Sequence, residues 1–155
     1  MKLPKFETLD LYCDARGVLT VALNRPEKRN ALSGQMIADL IEFAQTVSAM
    51  DAVRVVVLRG RGHVFCAGGD LEWMKAQIAA DRAGRMAEAH KLAQMLKRLN
   101  TLPKPLIGVL QGGAYGGGIG LAAICDVAIA EDNTKFGLTE TRLGLIPATI
   151  SPYVI

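Results

Sequence analysis

The sequence has few of the residues that bind metals or form disulfide frameworks. Its 155 residues include only three cysteines and two histidines. Cys13, Cys66 and Cys125 share no C-x-x-C spacing, and their odd number does not fit a set of paired cysteines. His63 and His90 each stand apart from other ligand types. We therefore expect neither a metal site nor disulfides, and a chain that works in the reducing cytoplasm.

Charge and hydropathy exclude two classes of partner. The net charge is only +3, and the basic residues are interspersed with acids, so the basic surface of a nucleic-acid-binding protein is missing. No apolar run is long enough to span a bilayer, and the N-terminal segment lacks the apolar core of a signal peptide. We expect neither nucleic acid nor membrane as a partner, although a small basic excess suits an anionic small molecule.

The chain does have a regular alternation of predicted strands and helices. Apolar runs between turn residues predict strands at 17–24, 53–60, 106–110 and 126–130. Helical spacing predicts a helix after the N-cap Ser33, another with its apolar stripe over 86–99, and a short one at 117–124. The segment 61–75 is predicted to be a loop that leads toward a helix. This order predicts an α/β domain over residues 1–155 with a mainly parallel sheet.

Glycine is concentrated between a predicted strand and a predicted helix. The segment 112–120 contains six glycines in nine positions, yet it has neither a phosphate-binding loop nor a dinucleotide-binding fingerprint. A second pair, Gly68 and Gly69, precedes Asp70, which is placed to open a helix. Amides at such bends have no partner, and glycine leaves them accessible. We predict that each loop supplies one donor to a single developing oxyanion, with tight packing as the alternative.

Four segments in order carry a resemblance to a known family. They read LNRPEKRNALS (23–33), GHVFCAGGDL (62–71), PKPLIGVLQGGAYGGGIGLAAICDVAIA (103–130) and KFGLTETRLGLIP (135–147). The chain resembles the enoyl-CoA hydratase/isomerase (crotonase) family, and in its last residues it is similar to the methylglutaconyl-CoA-type hydratases. The resemblance implies a spiral of ββα units, acyl-CoA substrates and a stabilised thioester enolate.

The resemblance also implies properties of the whole protein. It implies a homotrimer or hexamer at full length, and no cofactor other than the coenzyme A of the substrate. The family continues past this point with helices that cover the acyl pocket. Because residues 145–155 end on an apolar stretch without a cap, we expect the C-terminal helical part to be missing and the chain alone to be nearly inactive.

The family motifs assign individual residues. The amides of Gly69 and Gly117 are the implied oxyanion donors, and Glu140 is the implied acid and base. A surface ion pair with Arg142 or Lys135 is the alternative reading of Glu140. Further acyl-CoA contacts are expected at Lys28, Ala31, Ala67, Asp70 and Leu71.

Other residues are assigned more loosely. Like Lys28, Arg25 and Arg29 are placed to meet CoA phosphates or are plain exposed charges. Trp73 and Met74 are expected to pack a helix face, and Tyr115 either shapes the pocket or packs. Glu72 and Glu131 are expected to be solvated.

The sequence departs from the family at Gly120, where typical hydratases carry the first of two glutamates. Some branches use one glutamate, including double-bond isomerases. Alternatively, the missing side chain makes room for a branched or carboxylated acyl group. We predict a hydratase that adds water to an α,β-unsaturated acyl-CoA. A Δ3,Δ2-enoyl-CoA isomerase is the first alternative, and a truncated or non-catalytic acyl-CoA binder is the second.

Overall fold

A mainly parallel sheet organises the protein. The computed structural model describes residues 2–155. Within that range the strands are β1 Leu9–Cys13, β2 Val18–Leu23, β3 Val55–Gly60, β4 Leu106–Leu110, β5 Gly113–Tyr115, β6 Val127–Ala130 and β7 Lys135–Gly137. Five of them form one sheet in the order β1-β2-β3-β4-β6, in which β1 is antiparallel to β2 and the other neighbours are parallel. The α/β prediction is confirmed.

Helices pack against this sheet and against each other. In the described part they are α1 Gly34–Ser48, α2 Leu71–Ala79, α3 Arg82–Asn100, α4 Gly117–Ala123 and α5 Ser151–Val154, with 3-10 turns at Pro26–Lys28 and Thr139–Leu143. None of the helices within 2–155 combines the length and the apolar character that a membrane span requires. Helix α1 begins as predicted, since the Ser33 hydroxyl accepts a hydrogen bond from the Met36 amide at 3.2 Å.

The buried core joins the sheet to α1 and α3. Phe43 of α1 and Leu96 of α3 are completely buried, and the two helices contact each other. In β3, Val56 and Leu58 are buried while the residues between and beside them are less so. This alternation follows from the geometry of a strand, whose successive side chains point to opposite faces.

Three strands depart from the predictions, whereas the start of α2 agrees with them. Strands β1, β5 and β7 are not predicted, while α2 begins at Leu71 with Asp70 as its N-cap, as the placement of Asp70 predicted. The strands β5 and β7 have three residues each, which is too short for a periodic pattern, and they form because they pair with each other. Pairing between segments distant in the sequence therefore determines where β5 and β7 form.

The β5–β7 pair brings two distant segments together. Gly113 is opposite Lys135 and Tyr115 is opposite Gly137, in parallel register. The pairing continues one step further, where the Gly116 amide donates to the Gly137 carbonyl at 3.0 Å. The start of α4 therefore lies beside the 3-10 turn Thr139–Leu143.

Asp39 of α1 binds the N-terminal segment to the core. Its carboxylate is buried and accepts hydrogen bonds from the Thr8 amide at 2.9 Å, the Thr8 hydroxyl at 2.7 Å and the Gln35 side chain at 2.7 Å. We expect Asp39→Ala to lower the free energy of unfolding by about 2–3 kcal/mol, because the buried Thr8 groups lose their acceptor. Urea denaturation measures the change. Glu42→Ala, at an exposed position of the same helix, is the control, and equal losses in both variants would contradict this role.

Candidate active site

Two isolated backbone bridges hold the glycine loops in place. Leu32 pairs with Gly69, and Cys66 pairs with Ala114. In the second bridge the Cys66 amide donates to the Gly113 carbonyl at 3.2 Å, and the Tyr115 amide donates to the Cys66 carbonyl at 3.0 Å. The loop that contains Gly69 is thereby fixed to the strand that leads into α4. The two predicted donor loops therefore lie side by side.

Gly69 and Gly117 line the same cavity, which has a volume of about 560 Å³. Gly117 is the first residue of α4, where an amide has no acceptor within its own helix. Among residues 2–155, neither the Gly69 amide nor the Gly117 amide donates to a protein acceptor. The fold thus leaves two backbone donors free at one cavity, as an oxyanion site requires.

Close packing explains some of the glycines but not Gly69. A Cβ atom at Gly118 would come within 2.7 Å of the Cys66 carbonyl oxygen, so a larger residue there would separate the two loops. At Gly69 a Cβ would meet only the end of the Met74 side chain, with the sulfur at 3.1 Å. The packing alternative therefore holds at Gly118. At Gly69 the contact is with a flexible group that can move.

Glu140 lies at the same cavity, on the 3-10 turn after β7. Its carboxylate is against the backbone of Gly116, where a Cβ would be 2.9 Å from Oε1. Within the described range, Oε2 is buried without a hydrogen-bond partner, and the carboxylate forms no ion pair with Arg142 or Lys135. Glu140 is the acid among the cavity-lining residues of the described chain. The surface-pair alternative for Glu140 is therefore wrong.

The cavity walls are mainly apolar. Helix α2 contributes Trp73 and Met74, and Ile146 and Ile150 lie in the segment that follows the 3-10 turn. Trp73 and Met74 are half-buried, so the packing predicted for them forms a wall of the cavity. The polar lining residues besides Glu140 are Gln77, Arg85 and Thr149. A thioester could enter this site with its carbonyl at the glycine amides and its acyl chain along apolar side chains.

A sequence profile of enoyl-CoA hydratase/isomerase matches residues 14–155. The chain belongs to this family. An enoyl-CoA hydratase from Shewanella pealeana superposes with a TM-score of 0.93 at 37% identity, over 97% of this chain and 56% of that one. AtuE of Pseudomonas aeruginosa gives 0.91 at 40% identity, over 96% and 57%. These structures confirm the crotonase fold.

Curated relatives give the same family. An Alternaria alternata enoyl-CoA hydratase is 38% identical over 139 residues, which are 90% of this chain and 45% of that protein. The 2,3-dehydroadipyl-CoA hydratase of Escherichia coli is 36% identical over 130 residues, covering 84% and 49%. The chain spans about half the length of the curated relatives it matches.

The space beside Gly120, the family's first glutamate position, is filled by another side chain. A Cβ at Gly120 would be 2.4 Å from Cγ2 of Ile150, and Ile150 is buried. The structure therefore leaves no vacant room at Gly120 for an acyl branch, contrary to the second explanation offered for this glycine. A glutamate could be accommodated there only if Ile150 moved.

The other implied acyl-CoA residues are spread around the site. Asp70 is next to Gly69, but its carboxylate is buried and accepts protein hydrogen bonds. Ala31 is buried, Lys28 is exposed on the first 3-10 turn, and Leu71 is 67% exposed outside the cavity lining. Ala67 lines a second cavity of about 380 Å³. The structure thus groups Gly69, Gly117 and Glu140 at the main cavity and the remaining residues around it.

The loosely assigned residues also have definite positions. The Arg25 side chain donates a hydrogen bond to the Asp70 carboxylate. Arg29 lines the second cavity together with Tyr115. Glu72 and Glu131 are exposed, as predicted. The sequence reasoning missed Gln77 and Arg85 as cavity residues, since no motif contains them. Within 2–155 no three His, Cys, Asp or Glu side chains are grouped as ligands for a metal ion.

Two thiols within the family motifs, those of buried Cys66 and partly buried Cys125, have raised pKa values. Burial raises the pKa of Cys66 to about 12, and burial, with the nearby Asp126 charge, raises the pKa of Cys125 to about 12. We expect iodoacetamide at pH 8 to leave both thiols unmodified in the folded enzyme and to alkylate them in urea, because the thiolate is the reactive form. Peptide mass spectrometry identifies the modified sites. Alkylation of native Cys66 at the rate of a free thiol would show that this loop is open.

Proposed function

We propose that this protein adds water to an α,β-unsaturated acyl-CoA. The observation that carries the proposal is the meeting of the free Gly69 and Gly117 amides with the Glu140 carboxylate at one apolar cavity. Developing negative charge on a thioester oxygen needs preorganised donors, and an excluded-water site strengthens them. Coenzyme A enters as part of the substrate, and the addition involves no change of oxidation state that would call for a redox cofactor.

The proposed reaction uses Glu140 twice. Its carboxylate takes a proton from water while the water oxygen bonds to the β-carbon, and the electron pair of the double bond moves toward the thioester oxygen. The amides of Gly69 and Gly117 stabilise the resulting enolate, each by about 3 kcal/mol. The protonated Glu140 then returns the proton to the α-carbon. Substrate and water together account for every atom of the product.

Replacement of the carboxylate tests this role. We expect Glu140→Gln, which is nearly isosteric, to lower kcat by about 10²–10⁴, because the amide cannot accept the proton from water. The dissociation constant for the acyl-CoA is expected to stay within about threefold, since no binding group is removed. Crotonyl-CoA hydration is followed by ultraviolet absorbance. Glu131→Gln, at an exposed site, is the control, and a Glu140→Gln enzyme of near-normal activity would end the assignment.

The isomerase alternative is favoured by one observation, that Glu140 is the single acid among the described residues that line the cavity. A carboxylate that shuttles a proton between two carbons needs no second group to hold water, and Gly120 removes that group. Offering 2-enoyl-CoA and 3-enoyl-CoA separately distinguishes the reactions, since hydration yields a hydroxyacyl-CoA and isomerisation moves the double bond. A chain that turns over neither substrate but binds both would be the non-catalytic acyl-CoA binder.

For the substrate we propose an acyl group with a distal carboxylate. Arg85, an exposed residue near the start of α3, lines the mainly apolar cavity, and within 2–155 its guanidinium forms no ion pair. Gln77 of α2 lines the same cavity and has a buried Oε1 without a partner among the described residues. The guanidinium of Arg85 and the amide of Gln77 can both donate hydrogen bonds to a carboxylate. The name of the Escherichia coli relative also specifies a dicarboxylic acyl group.

This specificity is tested by comparing two six-carbon substrates. We expect Arg85→Met to lower the ratio of kcat/KM for 2,3-dehydroadipyl-CoA to that for hex-2-enoyl-CoA by about tenfold, because a charged hydrogen bond to the carboxylate is lost. Arg82→Met is the matched control on the same helix, outside the cavity lining, and should keep the ratio of the parent enzyme. An unchanged ratio in Arg85→Met would remove the carboxylate proposal and leave the hydratase proposal intact.

The assembly and location remain proposals. Apolar side chains are exposed on β6, where Val127 is 52% and Ile129 is 56% exposed, and next to the cavity at Ile146. Exposed apolar surface of this kind favours further protein contacts. It supports the trimer or hexamer that the family resemblance implies. We also propose a cytoplasmic location and acyl-CoA as the small-molecule partner. The protein's extent as one domain over 1–155 is likewise a proposal.

A further inference from the structure

A partly buried ion pair is formed by the residue that follows one of the two free amides. Asp70 follows Gly69 and is 8% exposed. Its Oδ1 accepts hydrogen bonds from the Glu72 amide at 2.9 Å and the Trp73 amide at 3.2 Å, which caps α2. Its Oδ2 accepts from Nη1 of Arg25 at 3.0 Å. Neither carboxylate oxygen is left free to bind a substrate.

Arg25, like Asp70, makes several hydrogen bonds within the protein. Its Nη1 also donates to the Ala31 carbonyl at 2.8 Å, and its own amide donates to Oδ1 of Asn30 at 2.9 Å. Asn30 is completely buried and donates from Nδ2 to the carbonyls of Arg61 and Val64, both at 2.8 Å. Arg25 therefore connects the segment after β2 to the loop that follows β3. Among the guanidinium nitrogens of Arg25, Nη1 carries both of these side-chain hydrogen bonds.

The backbone around Gly69 depends on these contacts because glycine has no side chain to hold it. On one side the Leu32 amide donates to the Gly68 carbonyl at 2.7 Å, and on the other the Asp70 amide donates to the Leu32 carbonyl at 3.0 Å. The direction of the Gly69 N–H follows from the orientation of the Gly68–Gly69 peptide plane. The carbonyl of that plane is held by the Leu32 amide, and the N–H of the next peptide, Gly69–Asp70, is held by the Leu32 carbonyl. The Asp70 side chain, bound by Arg25, fixes the residue on the C-terminal side of Gly69.

We propose that the Arg25–Asp70 ion pair is a positioning device that aims the Gly69 amide at the substrate oxygen. The inference rests on the proposed function, in which Gly69 is an oxyanion donor. Neither side chain touches the substrate. Together they prevent the start of α2 from rotating, so that the amide stays within hydrogen-bond reach of the oxyanion. A displacement of about 1 Å at such a donor costs about 10²-fold in rate.

Four variants and one control separate positioning from simple stability. Arg25→Met removes the ion pair and keeps the helix cap, and Asp70→Asn keeps a capping side chain while removing the charge. We expect each to lower kcat by about 10–100-fold with KM changed by less than about threefold, and the double variant to lose no more than either single one. Arg25→Lys retains a charge and should recover part of kcat. Arg16→Met, which breaks the exposed Arg16–Asp14 pair, is the control with parent activity.

A spectroscopic signal tests the same inference without turnover. Acetyl-CoA labelled with ¹³C at its carbonyl has no double bond to hydrate, and polarisation by the two amides lowers its carbonyl stretching frequency. We expect this infrared shift in the parent enzyme and a smaller one in Arg25→Met and Asp70→Asn. A parent enzyme that binds acetyl-CoA without any shift contradicts the proposed oxyanion site itself. Variants with the parent shift, or additive losses in kcat, contradict the positioning role while leaving the proposed function standing.

Discussion

Two backbone amides that have no acceptor among the described residues are the constraint on which this structure depends. Backbone amides in folded proteins are nearly always paired, and a buried unpaired one is costly. The amides of Gly69 and Gly117 have no acceptor within residues 2–155, so the neighbouring backbone has to be fixed by other groups. The Cys66–Ala114 bridge and the β5–β7 pairing supply those groups by joining both loops and the Glu140 turn. Pairing between distant segments thereby holds the backbone around these two amides, which have no acceptor in the described chain.

The glycines at the start of α4 serve two physical purposes, and the sequence alone does not distinguish them. Gly118 allows the loop around Cys66 to approach α4, since a Cβ would contact a backbone oxygen at 2.7 Å. Gly117 provides a free amide, yet a Cβ there would also be 2.7 Å from Cδ1 of Leu32. The close approach of the two loops and the access to the Gly117 amide therefore both require residues without a side chain. Packing and oxyanion binding are compatible readings of this segment.

Part of the fold and site could be predicted from the sequence, and the limit has a physical origin. Periodic apolar runs predicted β2, β3, β4 and α1, because burial of a repeated face determines them. The two donors and Glu140 were predicted from motifs, and the structure brings them to one cavity. By contrast, β5 and β7 depend on pairing over about 20 residues, and Arg25 binds Asp70 across 45 positions. Ile150 beside Gly120 is a tertiary contact of the same kind, and none of these leaves a local pattern.

Within the described part of the chain a single acid, Glu140, lines the mainly apolar cavity, and this constrains the proposed chemistry more than the glycine at position 120 does. If Glu140 takes the proton from water, no other cavity acid among the described residues can return a proton to the α-carbon, so both transfers occur on the face that Glu140 occupies. The same geometry serves proton transfer between two carbons. What separates hydration from isomerisation is therefore a water molecule held against this carboxylate. The buried, unpartnered Oε2 of Glu140 offers such a water one acceptor, and the thioester chain beside it decides whether the water has room to stay.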